Sequence, residues 1–263
     1  MLAPWLPEKG LAMIFAPRGV GKTWVALSIA HAIASGGAFL RWRAPQPRRV
    51  LYIDGEMPAV TLQERYGTVV VASKTDALAE NFRLLAADFQ PDGLPDLADT
   101  EAQRFYDSTI ADADLIIVDN LSTIARGLRE NEADSFGPVQ SWMLAQRAAG
   151  RSVLAVHHAG KGGGQRGTSR KEDTLDTVIS LTRPPGYQAN EGARFEVRFS
   201  KSRGSSAKMR SRSRRALPMA VGRQAKLSPT IPTARLQHYR RKDCRFGRFQ
   251  TAPECRDRPL PGG

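Results

Sequence analysis

Eight consecutive residues, Ala16-Pro17-Arg18-Gly19-Val20-Gly21-Lys22-Thr23, constrain the fold of this chain more than any other stretch. They follow a short apolar run, Leu11 to Phe15, and open a helical segment that runs from about Lys22 to Ala34 and is ended by Gly36-Gly37. The pattern is G-x-x-x-x-G-K-[ST] with Ala in place of the first Gly, and a strand before it and a helix after it are the setting the motif requires. Gly19 and Gly21 let backbone N–H groups approach phosphate oxygens, and the helix N-terminus adds the positive end of its dipole. Lys22 is expected to reach the β- and γ-phosphates, and Thr23 to ligate Mg²⁺. A nucleoside triphosphate, ATP, with Mg²⁺ is the implied ligand.

The sequence up to about residue 204 alternates between strands and helices. Val50 to Ile53 is rich in β-formers and flanked by Pro47 and Gly55; Phe82 to Leu85 is a further candidate strand. Leu115 to Val118 is fully apolar and ends at Asp119. Phe136 to Ala149 is expected to be helical, with Gly150 just past its end. Val153 to Val156 and Thr177 to Leu181 follow, and Arg194 to Phe199 alternates in polarity as an edge strand does. Apolar strands separated by helices imply an α/β fold with a mostly parallel sheet covered on both faces.

Charge divides the chain. Residues 1–200 hold 22 Lys+Arg against 23 Asp+Glu, a net of −1, whereas residues 201–263 hold 17 against 3, a net of +14. The tail is rich in Arg, Ser and Pro and lacks an apolar period, so it cannot offset its ordering entropy and is expected to be disordered. The division is therefore 1–204, an ATPase domain, and 205–263, a basic tail. No apolar run approaches the roughly 20 residues of a membrane span, and Met1 is not followed by a signal-peptide pattern. Cys244 and Cys255 have no ligand partners at zinc spacing. A cytoplasmic protein with no membrane partner is expected.

Several side chains fall where catalysis would need them. Asp119, at the C-terminal tip of an apolar strand, faces the ligand crevice of an open α/β sheet and can hold Mg²⁺ through water; a helix N-cap is the structural alternative. Asn120 is placed to orient water or sense nucleotide. Glu56 can polarise the water that attacks the γ-phosphate, with Asp54 as the competing carboxylate. His157-His158 follow a strand and fit a γ-phosphate sensor. The loop Gly160–Arg170 carries Lys161, Arg166 and Arg170 among glycines, which fits either a DNA-contacting loop or a solvated flexible one.

VLYIDGEM (50–57), LIIVDNLST (115–123), VLAVHHAGK (153–161) and RGT (166–168) resemble plasmid RepA-type hexameric helicases and the related RecA-like AAA-family ATPases of phages and plasmids. The resemblance spans roughly residues 8–204. It implies a RecA-like core in which Glu56 is the catalytic base, Asp119 the Walker B aspartate and His158 the phosphate sensor. It also implies a homo-oligomeric ring, a hexamer, acting on single-stranded DNA. Phe199-Ser200-Lys201-Ser202-Arg203-Gly204 is similar to the DnaB strand followed by K-x-R residues, which nominates Lys201 and Arg203 as cationic fingers acting in trans. The RepA-type finger position falls on Asp176.

The expected function is an ATP-hydrolysing motor of helicase or translocase type from a mobile element. The alternative is a nucleotide-controlled DNA-binding regulator that hydrolyses slowly and does not unwind; a small-molecule kinase is more distant. The abrupt change near Gly204 also suggests that residues from about 205 onward are a frameshifted remnant; the rival is a genuine basic tail that grips phosphates non-specifically. A displaced frame permits an acidic, aromatic-bearing version of Ser205 to Arg215 and a helix-turn-helix-like version of Leu227 to Gly263.

Overall fold

The computed structural model describes residues 1–128, 133–159 and 173–202. The basic tail, the loop Gly160–Arg170 and Arg203 lie outside the described residues. The apolar run at the amino end forms β1 (Leu11–Ala16), buried along its whole length. α1 (Lys22–Ser35) follows the phosphate loop and stops at the expected glycines: the Gly37 N–H donates to the Ala32 carbonyl at 2.8 Å. A two-stranded hairpin, β2 (Ala38–Phe39) and β3 (Trp42–Arg43), leads to β4 (Val50–Asp54). The chain continues through α2 (Ala59–Ser73), β5 (Phe82–Ala86), α3 (Arg104–Ile110), β6 (Leu115–Asp119), α4 (Leu121–Ile124) and α5 (Gly137–Ala148). It closes with β7 (Ser152–His158), β8 (Thr177–Thr182) and β9 (Glu196–Ser202).

Seven of these strands form one sheet in the order β5-β4-β6-β7-β1-β8-β9. Every neighbouring pair is parallel except β8 with β9, so β9 is an antiparallel edge, as the alternation at Arg194 to Phe199 suggested. β9 runs further than expected and includes Lys201 and Ser202, so Lys201 sits in the strand instead of after it.

Side chains alternate across each strand, and this alternation builds two cores. On one face, Ile14, Tyr52, Ile117, Leu154 and Val156 pack beneath α1 and α2. On the other, Met13, Ile53, Ile116, Val118 and Val153 pack beneath α3, α4 and α5. The amino-terminal segment belongs to the first core: Trp5 meets Trp42 edge-on at 5.2 Å between ring centres, and Phe199 of β9 contacts both rings. Six parallel strands placed in this way bring their carboxyl-terminal tips to one edge of the sheet, where the crevice of an open α/β fold lies.

α2 was not anticipated from the sequence. Its Thr68-Val69-Val70-Val71 run is β-branched and Gly67 precedes it, both unfavourable to an isolated helix. Tertiary packing decides the outcome: Leu62, Tyr66 and Val69 are buried, and Tyr66 stacks on Phe82 at 4.0 Å. Among the described residues no helix is long and apolar enough to cross a membrane.

Leu154 is fully buried at the centre of the sheet. Leu154→Ala is expected to cost about 2–5 kcal/mol of stability in denaturant unfolding. Val71→Ala, at a side chain 81% exposed, is expected to stay within about 0.5 kcal/mol of wild type.

Candidate nucleotide site

The loop between β1 and α1 sits at the centre of the shared edge. Pro17, Arg18 and Gly19 are exposed, whereas Val20 and Lys22 are buried. Gly21 caps α1 at φ 119°, a left-handed conformation that L side chains rarely adopt. The Lys22 ammonium donates to the Ala16 and Pro17 carbonyls, both at 3.1 Å. Those bonds use two of its three donors and curl its own loop around it. Burial lowers its pKa; Asp119 and Glu56 oppose that shift.

Asp119, at the tip of β6, is buried, and desolvation raises its pKa. Hydrogen bonds from Tyr52 and Thr23, and the charge of Lys22, pull the other way. The Tyr52 hydroxyl donates to Asp119 Oδ2 at 2.6 Å. The expected metal pair, Thr23 at the head of α1 and Asp119 at the tip of β6, is thus brought together. A hydroxyl and a carboxylate are donors suited to Mg²⁺, which keeps most of its own waters and takes only one or two protein ligands. Asp119 is not a helix cap; Asn120 takes that role, its Oδ1 accepting from the Ser122 N–H at 3.0 Å at the start of α4.

Glu56 and Asp54 separate clearly. Asp54 is 1% exposed, and its Oδ1 accepts the N–H of Glu56 at 3.1 Å and of Met57 at 2.7 Å. Burial, chiefly, raises its pKa to about 7, with the neighbouring charges of Asp119 and Glu56 adding to the shift. The Glu56 side chain is 56% exposed and reaches across the strand tips: Asn120 Nδ2 donates to its Oε2 at 2.5 Å, and His158 Nε2 lies 3.9 Å from the same oxygen. Gly55 between them allows this approach, because a Cβ there would stand 2.6 Å from both Ile124 and Thr123 side-chain atoms.

His157 and His158 do not act as a pair. The strand alternation sends them to opposite faces, and only His158 shares the Glu56 side. Lys201 lies far from this edge: it pairs with Val178, which in turn pairs with Met13, and its Nζ donates to the Asp173 carbonyl at 3.4 Å. Asp176 is structural; it accepts from the Leu11 N–H at 2.9 Å and forms an ion pair with Arg147 at the opposite end of the strands.

Two residues of the site escaped the sequence. Tyr52 holds Asp119; the signal was a phenol two residues before a carboxylate in an otherwise apolar strand, which puts both on one face. Arg183, just after β8, donates to the Gly19 carbonyl at 3.4 Å and stacks over Tyr187 at 4.3 Å. Nothing local in the sequence marks Arg183, because its contact depends on β8 lying beside β1.

The AAA domain family matches residues 1–164, which hold the phosphate loop, Glu56, Asp119 and His158. The chain belongs to this AAA domain family. No curated protein sequence matches the chain. Among solved structures, a KaiC-like protein from the hyperthermophilic archaeon Pyrococcus horikoshii OT3 superposes with a TM-score of 0.51, covering 76% of this chain and 82% of that one at 14% identity. That likeness establishes the fold as RecA-like. The chain is a P-loop ATPase built on that fold.

The raised pKa of Asp54 has a consequence for the stability of the ATPase. A carboxyl with a pKa of about 7 when folded, against an ordinary 3.8, favours folding while it is protonated in both states. That advantage is lost as pH rises from about 4 through 7. The melting temperature of wild type relative to Asp54→Asn, in metal-free buffer, is therefore expected to fall across that range and level off above it.

Proposed function

We propose that this ATPase is an oligomeric motor on single-stranded DNA, a helicase- or translocase-like protein of a plasmid, phage or other mobile element. The observation that carries this reading is the direction of β9. Its antiparallel course leaves Lys201 opposite Met13, three residues short of Ala16 and two strands to the side. At about 3.3 Å per residue and 4.8 Å per strand, that is roughly 10 Å away in each direction, so Lys201 does not reach the chain's own γ-phosphate. A cation there would serve hydrolysis by meeting the phosphate of a neighbouring copy. This supports a homo-oligomeric ring, a hexamer by resemblance.

Within one copy, Lys22 and the loop N–H groups bind the phosphates. Mg²⁺, held by Thr23 and through water by Asp119, would neutralise charge on the β- and γ-oxygens. Glu56 takes the proton of the attacking water as its oxygen bonds to the γ-phosphorus and the bond to the β–γ bridging oxygen breaks. Asn120 holds the Glu56 carboxylate, and His158, 3.9 Å from the same oxygen, registers the γ-phosphate. Glu56→Gln keeps the shape but cannot accept the proton. Its kcat is expected to fall about 10²–10⁴-fold, while a fluorescent ATP analogue still binds at near wild-type affinity.

A second reading, a nucleotide-controlled DNA-binding regulator with slow hydrolysis, draws on the 2.5 Å bond from Asn120, which occupies one Glu56 oxygen. The ATPase rate of the full chain with and without single-stranded DNA separates the two. A motor is expected to show a severalfold rise, absent in Lys22→Ala and reduced by salt. An unchanged slow rate with DNA bound would favour the regulator.

A further inference from the structure

We propose that Asp54 is a positioning residue of this ATPase: its carboxylate oxygen fixes the turn that presents Glu56, and what the reaction needs from it is a hydrogen-bond acceptor, not a charge or a base. The proposal rests on Glu56 being the base, and it assigns a role to a buried carboxylate beside it that the mechanism leaves unused.

The argument begins with the backbone between β4 and α2. Five residues, Gly55 to Ala59, turn the chain away from the strand tip, and Pro58 has no N–H to satisfy. Each of the other four N–H groups has a partner. Gly55 donates to the Asp119 carbonyl at 2.9 Å, Glu56 and Met57 donate to Asp54 Oδ1 at 3.1 and 2.7 Å, and Ala59 donates to Asp88 Oδ2 at 3.0 Å. Asp54 Oδ1 alone accepts two of the four bonds. Without it, two N–H groups lose their acceptor at the point where Glu56 leaves the chain, and the turn loses the bonds that fix its direction.

Geometry also separates the two carboxylates by role. A base must touch the water it deprotonates. Asp54 is buried beneath the turn with one oxygen doubly engaged, while Glu56 projects over the strand tips to Asn120 and His158. The turn is pressed onto α4, where Gly55 leaves no space for a side chain between it and Ile124 or Thr123. The direction of Glu56 is therefore set by its backbone, and Asp54 Oδ1 holds that backbone. An asparagine at this position places a carbonyl oxygen on the same two N–H groups; an alanine places nothing.

The test is steady-state ATPase kinetics of the full chain for Asp54→Ala, Asp54→Asn, Glu56→Gln and the double variant Asp54→Ala/Glu56→Gln, with affinity for a fluorescent ATP analogue measured alongside. Asp54→Ala is expected to lower kcat by about 10- to 100-fold, part of what a general base contributes, with KM and nucleotide affinity within about threefold. Asp54→Asn is expected to recover most of that loss. Because Asp54 acts through Glu56, the double variant is expected to be no slower than Glu56→Gln alone. The proposal is overturned if Asp54→Asn is as slow as Glu56→Gln, if Asp54→Ala turns over at the wild-type rate, or if Asp54→Ala slows the Glu56→Gln protein by the same factor as it slows wild type. Should Asp54→Ala fail to bind nucleotide at all, the asparagine variant decides: recovery supports the proposal, and loss to the Glu56→Gln level sinks it. Full turnover by Glu56→Gln, with Asp54 intact, would remove the underlying assignment of the base, an outcome visible in its own arm.

Discussion

The site depends on one carboxylate taken out of water. Asp119 is buried at the tip of β6, and burial disfavours its charge. An isolated buried charge would be prohibitive, so the surroundings are arranged to hold it. Tyr52 donates to it, and Thr23 and Lys22 lie close enough to favour its charged form. Two elements place those partners: Tyr52 comes from β4, Thr23 and Lys22 from the first turn of α1. The phosphate loop must fold tightly to bring Lys22 there, and the ammonium holds the loop closed through the Ala16 and Pro17 carbonyls. Two of the groups that make Asp119 tolerable, Lys22 and Thr23, are also those proposed to meet a phosphate and its metal.

The architecture around this centre follows from the division of the sheet into two faces. α1 is buried nearly all the way round, lying between the sheet, α2 and the amino-terminal aromatic cluster. A helix enclosed in this way is a fixed platform for the loop at its start. The short α4 on the other face has no comparable packing, and its start is instead tied to Asn120, which also reaches Glu56. The two parts of the candidate site, the phosphate loop and the Glu56 turn, are therefore mounted differently: the first on a buried helix, the second on a turn whose N–H groups are bonded to side-chain and backbone oxygens.

What the sequence made legible had local causes. The phosphate loop carries its signature within eight residues, the glycines after α1 and α5 mark real helix ends, and Asp119 follows an unbroken apolar strand. β9 was visible as an edge because its two faces differ. What stayed hidden had non-local causes. α2 forms against its β-branched run because Tyr66 finds Phe82. Tyr52 became part of the site only through the pairing of β4 with β6, and Arg183 only through the pairing of β8 with β1. The two histidines were adjacent in sequence and therefore grouped, although the pleat of a strand separates neighbours. Asp54 and Glu56 could not be ranked from spacing alone, because their difference lies in which one is buried.

The register of β4 against β6 pairs Tyr52 with Ile117 and Asp54 with Asp119. Along a strand, a slip of one residue moves every side chain to the other face. Such a slip would turn Tyr52 and Asp54 away from α1 and aim Leu51 and Ile53 at Asp119, leaving a buried charge facing hydrocarbon. The buried tyrosine–aspartate contact thus acts as a lock on alignment: the sheet cannot be assembled one step out without stranding its most costly charge, so correct strand pairing and a competent site are secured by the same hydrogen bond.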